Sequence, residues 1–214
     1  MQILTEISEN LQKGKAKIVT QLVEQALADG VSADDILQKG MMPGMDIIAT
    51  KFRNNEVFVP EVLIAARAMN MGTQLLKPYL DSATSVIGKC VLCTVKGDLH
   101  DIGKNLVRMM LEGKGIEVID LGVDVPAEKI VEAIAEHKPE CVALSALLTT
   151  TMGEITATVQ AIEAAGLRNS VTILVGGAPV TDTFCKEVGA DIYQPDAASA
   201  AESAKAAILA RKAA

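Results

Sequence analysis

Apolar residues recur every three or four positions from the N-terminus to about residue 80, then give way to short β-branched runs separated by amphipathic stretches. The first pattern predicts helices. Lys15 to Ala28 carries Ile18, Leu22, Val23 and Ala26 on one face and stops at Gly30. Ser32, with Asp35 three residues on, resembles a capping box and opens a helix through Ile36 and Leu37. Met41-Met42-Pro43-Gly44-Met45 holds a breaker, after which Ile47, Ile48 and Phe52 resume helical spacing. Beyond Asn54-Asn55, Pro60 suits a first helical turn, and the apolar run to Leu80 carries Val62, Leu63, Ala66, Met69 and Met71. Four helices predict a small bundle over residues 1–84.

Asp81-Ser82-Ala83-Thr84-Ser85 reads as a short polar linker, and from 85 to 214 strand and helix alternate. Strands are expected near 89–95, 116–121, 141–145, 171–175 and 191–193. Between them, Ile102, Leu106, Met109 and Met110 mark a helix that Gly113 and Gly115 end; Pro126 and Glu128 open another, and a third lies near Met152 to Ala165. An alanine-rich helix from Ala197 to about Ala210 closes the chain. The connections are long enough for right-handed crossovers, so the fold class is α/β, a helical bundle followed by a five-stranded doubly wound parallel sheet.

At 214 residues and 50% apolar composition, the chain has ample material for one large or two small domains. A formal net charge of -7 argues against a phosphate-binding surface, and with no basic run or paired recognition helix a nucleic-acid partner is not expected. Met1-Gln2-Ile3-Leu4-Thr5-Glu6 lacks the form of a signal peptide and no apolar stretch is long enough to span a bilayer, which predicts a cytoplasmic protein without a membrane partner. Cys90, Cys93, Cys141 and Cys185 lack the spacing of a disulfide scaffold and are expected to be reduced core residues. Cys90-x-x-Cys93 matches a redox or zinc half-site, yet in a strand those two side chains point to opposite faces.

The candidate chemistry lies in Gly97-Asp98-Leu99-His100-Asp101-Ile102-Gly103, between the strand-like Lys89-Cys90-Val91-Leu92-Cys93-Thr94-Val95 and a helix. The carboxyl end of such a strand is where open α/β sheets bind ligands. His100 is one of two histidines, and an imidazole two residues from a carboxylate can ligate a metal through one nitrogen while the other donates to the acid. Gly97 and Gly103 allow a bulky ligand to come close. From these residues alone a helix-capping or idle histidine stays open. His137, in Ala135-Glu136-His137-Lys138-Pro139, reads as an exposed helix end.

Asp98-x-His100-x-x-Gly103, with Ser145-x-Leu147 and Gly176-Gly177, resembles the cobalamin-binding signature of B12-dependent methyltransferases and mutases. The resemblance implies a flavodoxin-like strand order, 2-1-3-4-5, and a corrinoid cofactor, methylcobalamin or a relative. It implies that Gly97, Asp98, Leu99, His100, Asp101 and Gly103 meet the corrin, with His100 the lower axial ligand to cobalt in place of the dimethylbenzimidazole tail and Asp98 bonded to its other nitrogen. Thr151 falls where methionine synthase carries a serine that extends this relay. Ser145, Leu147, Thr149, Gly176 and Gly177 match the positions that hold the displaced tail, and Ala197 matches less closely. Read without the resemblance, Thr149 to Thr151 is equally a helix N-cap cluster. Phe52 through Val59-Pro60 looks like the turn of the family's helical cap, with Phe52 and Val59 over the upper corrin face and Met42, Met45 and Phe58 beside them. Such methionine and phenylalanine side chains equally fill cores.

The whole chain is similar to the small corrinoid proteins of methanol, methylamine, glycine betaine and O-demethylase methyltransferase systems. That likeness implies a methyl carrier cycling between Co(I) and methyl-Co(III), a component of a methyltransferase system rather than a self-sufficient enzyme. Its implied partners are a substrate-specific methyltransferase, an acceptor methyltransferase acting on tetrahydrofolate or coenzyme M, and a reductive activator. Two other readings share the signature: a cobalamin-binding sensory module and the cobalamin subunit of a radical mutase.

Overall fold

The computed structural model describes residues 2–80 and 86–213, so the linker expected at Asp81 to Ser85 lies outside the described residues. The chain divides into two compact units, one of Met1–Val86 with Gly113–Gly115 and one of Ile87–Glu112 with Ile116–Ala214.

The first unit is helical. It holds α1 (Gln2–Gln12), α2 (Ala16–Ala28), α3 (Ala33–Asp35), a π-helical turn (Ile36–Met41), α4 (Met42–Arg53) and α5 (Val59–Leu76), followed by a 3₁₀ turn, Lys77–Tyr79. Ser32 caps α3, its hydroxyl accepting the Asp35 N–H at 3.1 Å. The expected break at Met41 to Met45 does not occur. Met42 donates its N–H to the Leu37 carbonyl, five residues back, so helix runs through the π turn into α4 with Pro43 in the first turn of α4. A proline in a regular helix clashes with the carbonyl four residues earlier, and the wider turn relieves that clash. Two expected helices therefore join, and α1, which the periodicity did not single out, makes up the bundle. Gly44 acts in packing rather than in breaking: a Cβ there would lie 3.0 Å from the Ser8 carbonyl oxygen of α1. Pro60 occupies the first turn of α5, and the Glu61 carboxylate accepts the Phe58 N–H at 3.1 Å.

The second unit is a five-stranded parallel sheet of β1 (Gly88–Thr94), β2 (Ile116–Asp120), β3 (Cys141–Ser145), β4 (Thr172–Gly176) and β5 (Ile192–Tyr193), in the order β2-β1-β3-β4-β5. The connecting helices are α6 (Ile102–Gly113), α7 (Ala127–His137), α8 (Met152–Ala164) and α9 (Asp182–Glu187), and α10 (Ala197–Ala213) ends the unit. One face of the sheet buries Val91, Cys93, Val142, Leu144 and Ile173 in a single cluster with Ile130, Ile134, Ile155 and Ile162 of α7 and α8. Cys90 is buried but outside that cluster, so Cys90 and Cys93 face opposite sides as the strand period requires. All four thiols are free and buried. On the other face Cys141 Sγ lies 3.9 Å from the Ala204 carbonyl oxygen of α10. His137 ends α7, half-buried rather than exposed, and Lys138 turns the chain at φ 47°. Among the described residues no helix is long and apolar enough to cross a membrane.

The strand order reverses at β1: β2 lies on one side of it and β3 on the other. The loops after β1 and β3 therefore part at their carboxyl ends and leave a crevice there.

Candidate functional site

Thr94, Ser145 and Gly176 end β1, β3 and β4 in register, which brings the three following loops to one edge of the sheet. The chain leaves β1 through a turn with Gly97 at φ 77°, so that Asp98 points back beneath the edge, fully buried. A buried carboxylate needs donors, and five reach it. Oδ1 accepts the His100 N–H at 3.1 Å and pairs with His100 Nδ1 at 2.7 Å. Oδ2 accepts the Leu147 N–H at 2.7 Å, the Leu148 N–H at 3.2 Å and the Thr151 hydroxyl at 2.8 Å. Burial alone would raise the Asp98 pKa; the Leu147 N–H, the two His100 donors and the Thr151 hydroxyl outweigh it and hold the carboxyl well below the usual carboxylate range. Asp98 is thus an acceptor only, which puts the His100 proton on Nδ1 and leaves the Nε2 lone pair free to ligate.

The His100 side chain is 50% exposed, and the same two loops expose Leu99, Ile102, Leu147 and Leu148, with Leu99 at 71% and Ile102 at 77%. A Cβ on Gly103 would meet nothing within 4 Å, so the first turn of α6 is open to a flat ligand. Among the described residues no group of three or more His, Cys, Asp or Glu could hold a metal ion. A corrin ring brings four nitrogen donors of its own and needs a single one from the protein, which His100 Nε2 can give. The open apolar rim, the free Nε2 and the lone imidazole fit such a group.

The other expected residues divide. Leu147 and Thr151 reach Asp98 directly, and Thr151 uses its hydroxyl there instead of capping α8. Ser145 and Gly176 sit at the strand ends, while Gly177, at φ 127°, lies so close to β3 that a Cβ would fall 1.8 Å from the Ala146 carbonyl oxygen. Thr149 is exposed in a 3₁₀ turn, and Ala197 is buried as the first residue of α10. Asp101 immediately precedes α6, its carbonyl accepting the Asn105 N–H and its carboxylate the Asn105 side-chain amide. Phe52 and Val59, both half-buried, lie in the last turn of α4 and at the start of α5 in the helical unit, where Met42 and Met45 are buried and Phe58 is exposed.

Several supporting residues lie outside these motifs. Thr94, fully buried, donates its hydroxyl to the His100 carbonyl at 2.9 Å. Lys104, buried on α6, pairs with Asp120 at 2.6 Å, and Asp124 accepts the Gly97 N–H at 2.7 Å. The available signal was position: each acid follows or ends β2, and Thr94 is a polar residue ending an apolar strand.

B12 binding domain families match residues 88–205 and residues 3–77. A trimethylamine corrinoid protein of Methanosarcina barkeri is 38% identical over 210 residues, 97% of each chain, and dimethylamine corrinoid protein 3 of Methanosarcina acetivorans is 36% identical over 208 residues, 97% of each. Among solved structures, the methanol:cobalamin methyltransferase complex of Methanosarcina barkeri superposes with a TM-score of 0.87 at 30% identity, over 97% of this chain and 80% of that one. A cobalamin-binding protein from Desulfitobacterium hafniense DCB-2 gives 0.81 at 34% identity, over 95% and 98%.

Proposed function

The chain belongs to the B12-binding corrinoid proteins, and from that premise we propose that it is the methyl-carrying component of a methyltransferase system, with His100 as the residue that would ligate its cobalt. The observation that carries this reading is the His100 to Asp98 pair: one ring nitrogen is fixed by a buried carboxylate and the other is free at an open apolar rim. A bound corrinoid supplies the cobalt on which a methyl group rests between donor and acceptor.

The protein's own residues set the conditions for that exchange. Asp98 holds the Nδ1 proton of His100, which makes Nε2 a better donor to a metal, and the Thr151 hydroxyl braces the carboxylate from the other side. Gly97, Leu99, Asp101 and Gly103 would form the surface beside the ring, and Ser145, Leu147, Thr149, Gly176, Gly177 and Ala197 would take the cofactor's tail. In this reading residues 1–84, Phe52 and Val59 among them, are the family's cap unit, and 85–214 hold the cofactor. A substrate-specific methyltransferase loads the methyl group, as the similarity to the methanol:cobalamin methyltransferase complex suggests. A second methyltransferase, acting on tetrahydrofolate or coenzyme M, and a reductive activator would complete the system.

Absorbance spectra of the protein reconstituted with hydroxocobalamin, wild type against His100→Ala, test the assignment. Retained cobalamin with a spectrum that changes in the variant is the expected result. Failure to retain cobalamin overturns the reading, and identical spectra overturn the axial role of His100.

A further inference from the structure

The turn that precedes His100 is gripped from a side outside the Asp-x-His motif. Val95 to Asp98 forms a β-turn, the Asp98 N–H donating to the Val95 carbonyl at 3.2 Å, with Gly97 third at φ 77°. Asp124, beyond β2, holds this turn twice: its Oδ1 accepts the Gly97 N–H at 2.7 Å, and its own N–H donates to the Asp98 carbonyl at 3.0 Å. To do so it adopts φ 54°, a region that side-chain-bearing residues rarely occupy and keep only where their surroundings fix it. Those surroundings are present. The Thr94 N–H donates to the Gly122 carbonyl at 3.0 Å, and the Val125 N–H donates to the Thr94 carbonyl at 3.1 Å, bracketing Asp124 against the end of β1.

Gly97 has the backbone freedom to rotate, and the nearest atom to a Cβ there would be Thr151 Cγ2 at 3.7 Å. Rotation of that peptide would swing Asp98 and, with it, the imidazole. We propose that Asp124 is a positioning residue for His100, fixing the Gly97-Asp98 peptide so that the Asp98 carboxylate meets Nδ1 and Nε2 keeps one direction. The inference deepens the axial-ligand reading and rests on it for its function, although the grip itself belongs to the protein without cofactor.

Asp124→Gly removes the carboxylate and suits φ 54°, while Asp124→Asn keeps a weaker acceptor in a residue that tolerates the same φ. In the full chain, free of cofactor and labelled with ¹⁵N, wild type should show one His100 tautomer with the proton on Nδ1. In D124G the Gly97 amide should exchange at least about tenfold faster and the imidazole signals should broaden or mix, with D124N restoring most of both. Loaded with cobalamin and reduced to Co(II), wild type and D124N should show axial-nitrogen splitting in the electron paramagnetic resonance spectrum that weakens in D124G. Wild-type exchange and a wild-type tautomer in D124G overturn the proposal; if D124G does not fold, D124N, whose weaker acceptor should still speed Gly97 exchange measurably, is read by the same criteria. Absence of axial-nitrogen splitting in wild type overturns the ligand reading instead, and the cofactor-free spectra still decide the grip.

Discussion

The Thr151 hydroxyl donates to Oδ2 of Asp98 across 2.8 Å, joining two loops whose residues stand 53 positions apart in the chain. The same oxygen lies 2.9 Å from the Leu148 carbonyl, but one proton serves one acceptor at a time and the ionised carboxylate is the stronger. Thr151→Val keeps the shape and deletes the donor, leaving Oδ2 with two backbone N–H groups. The cofactor-free protein should lose about 1–2 kcal/mol in urea unfolding, and Thr151→Ser should recover most of it.

Asp98 and His100 differ in what their removal leaves behind. Asp98→Asn replaces an acceptor of five donors with a group that must turn an NH₂ toward some of them, in a fully buried place. The expected loss is at least about 3 kcal/mol. His100→Ala removes a half-exposed ring and leaves Asp98 four donors, so its loss should stay under about 1.5 kcal/mol. Urea titration of both cofactor-free variants checks the order, and the reverse order would mean that the buried carboxylate is not what ties the loops together.

The two adjacent glycines at the end of β4 should behave differently. Gly177→Ala places a methyl group 1.8 Å from the Ala146 carbonyl oxygen at φ 127°, so backbone must move, and a loss of about 3 kcal/mol or more or failure to fold is expected. At Gly176 the nearest atom, the Gln194 carbonyl oxygen, is 3.9 Å from the new methyl, and the change should cost less than about 1 kcal/mol. If Gly176 helps to hold the cofactor's tail, its alanine variant folds normally and retains less cobalamin, which gel filtration with absorbance detection measures.

Burial pushes the Cys93 and Cys141 thiols up to about 12 from 9.0, with Asp120 and Glu140 respectively adding to the shift. The unfolded chain ionises these thiols near 9 while the folded one keeps them protonated. Their contribution to stability is therefore complete below about pH 9 and is lost as pH rises toward 12. Urea midpoints should fall across that window, less steeply when both are replaced by alanine. At pH 8 the native protein should react with a thiol reagent only as fast as it opens.

Much of this molecule is legible along the chain. The five strands fall within a residue or two of the apolar runs that predict them; β1, β3 and β4 are buried on both faces, which leaves a continuous apolar signature. Asp98 and His100 are readable because their bond is local, two residues apart. The helical unit is less so. Pro43 and Gly44 carry the composition of a break, yet the π turn before them and the close approach of α1 make them interior helix residues.

The sequence by itself determined the change from helical to alternating periodicity, the strand-to-helix loop at Gly97 to Gly103, and the imidazole beside a carboxylate. Each of these depends on neighbours a few residues away, which is the range over which periodicity and motif spacing carry information. Only the tertiary structure decided that Thr151 bonds Asp98 rather than capping α8, that Asp124 holds Gly97 from 27 residues away, and that Gly177 must lack a side chain because Ala146 lies against it. Those outcomes belong to pairs of strand ends. Parallel pairing of β1 with β2 and β3, and of β3 with β4, brings each pair together, and no local pattern in either segment records its partner.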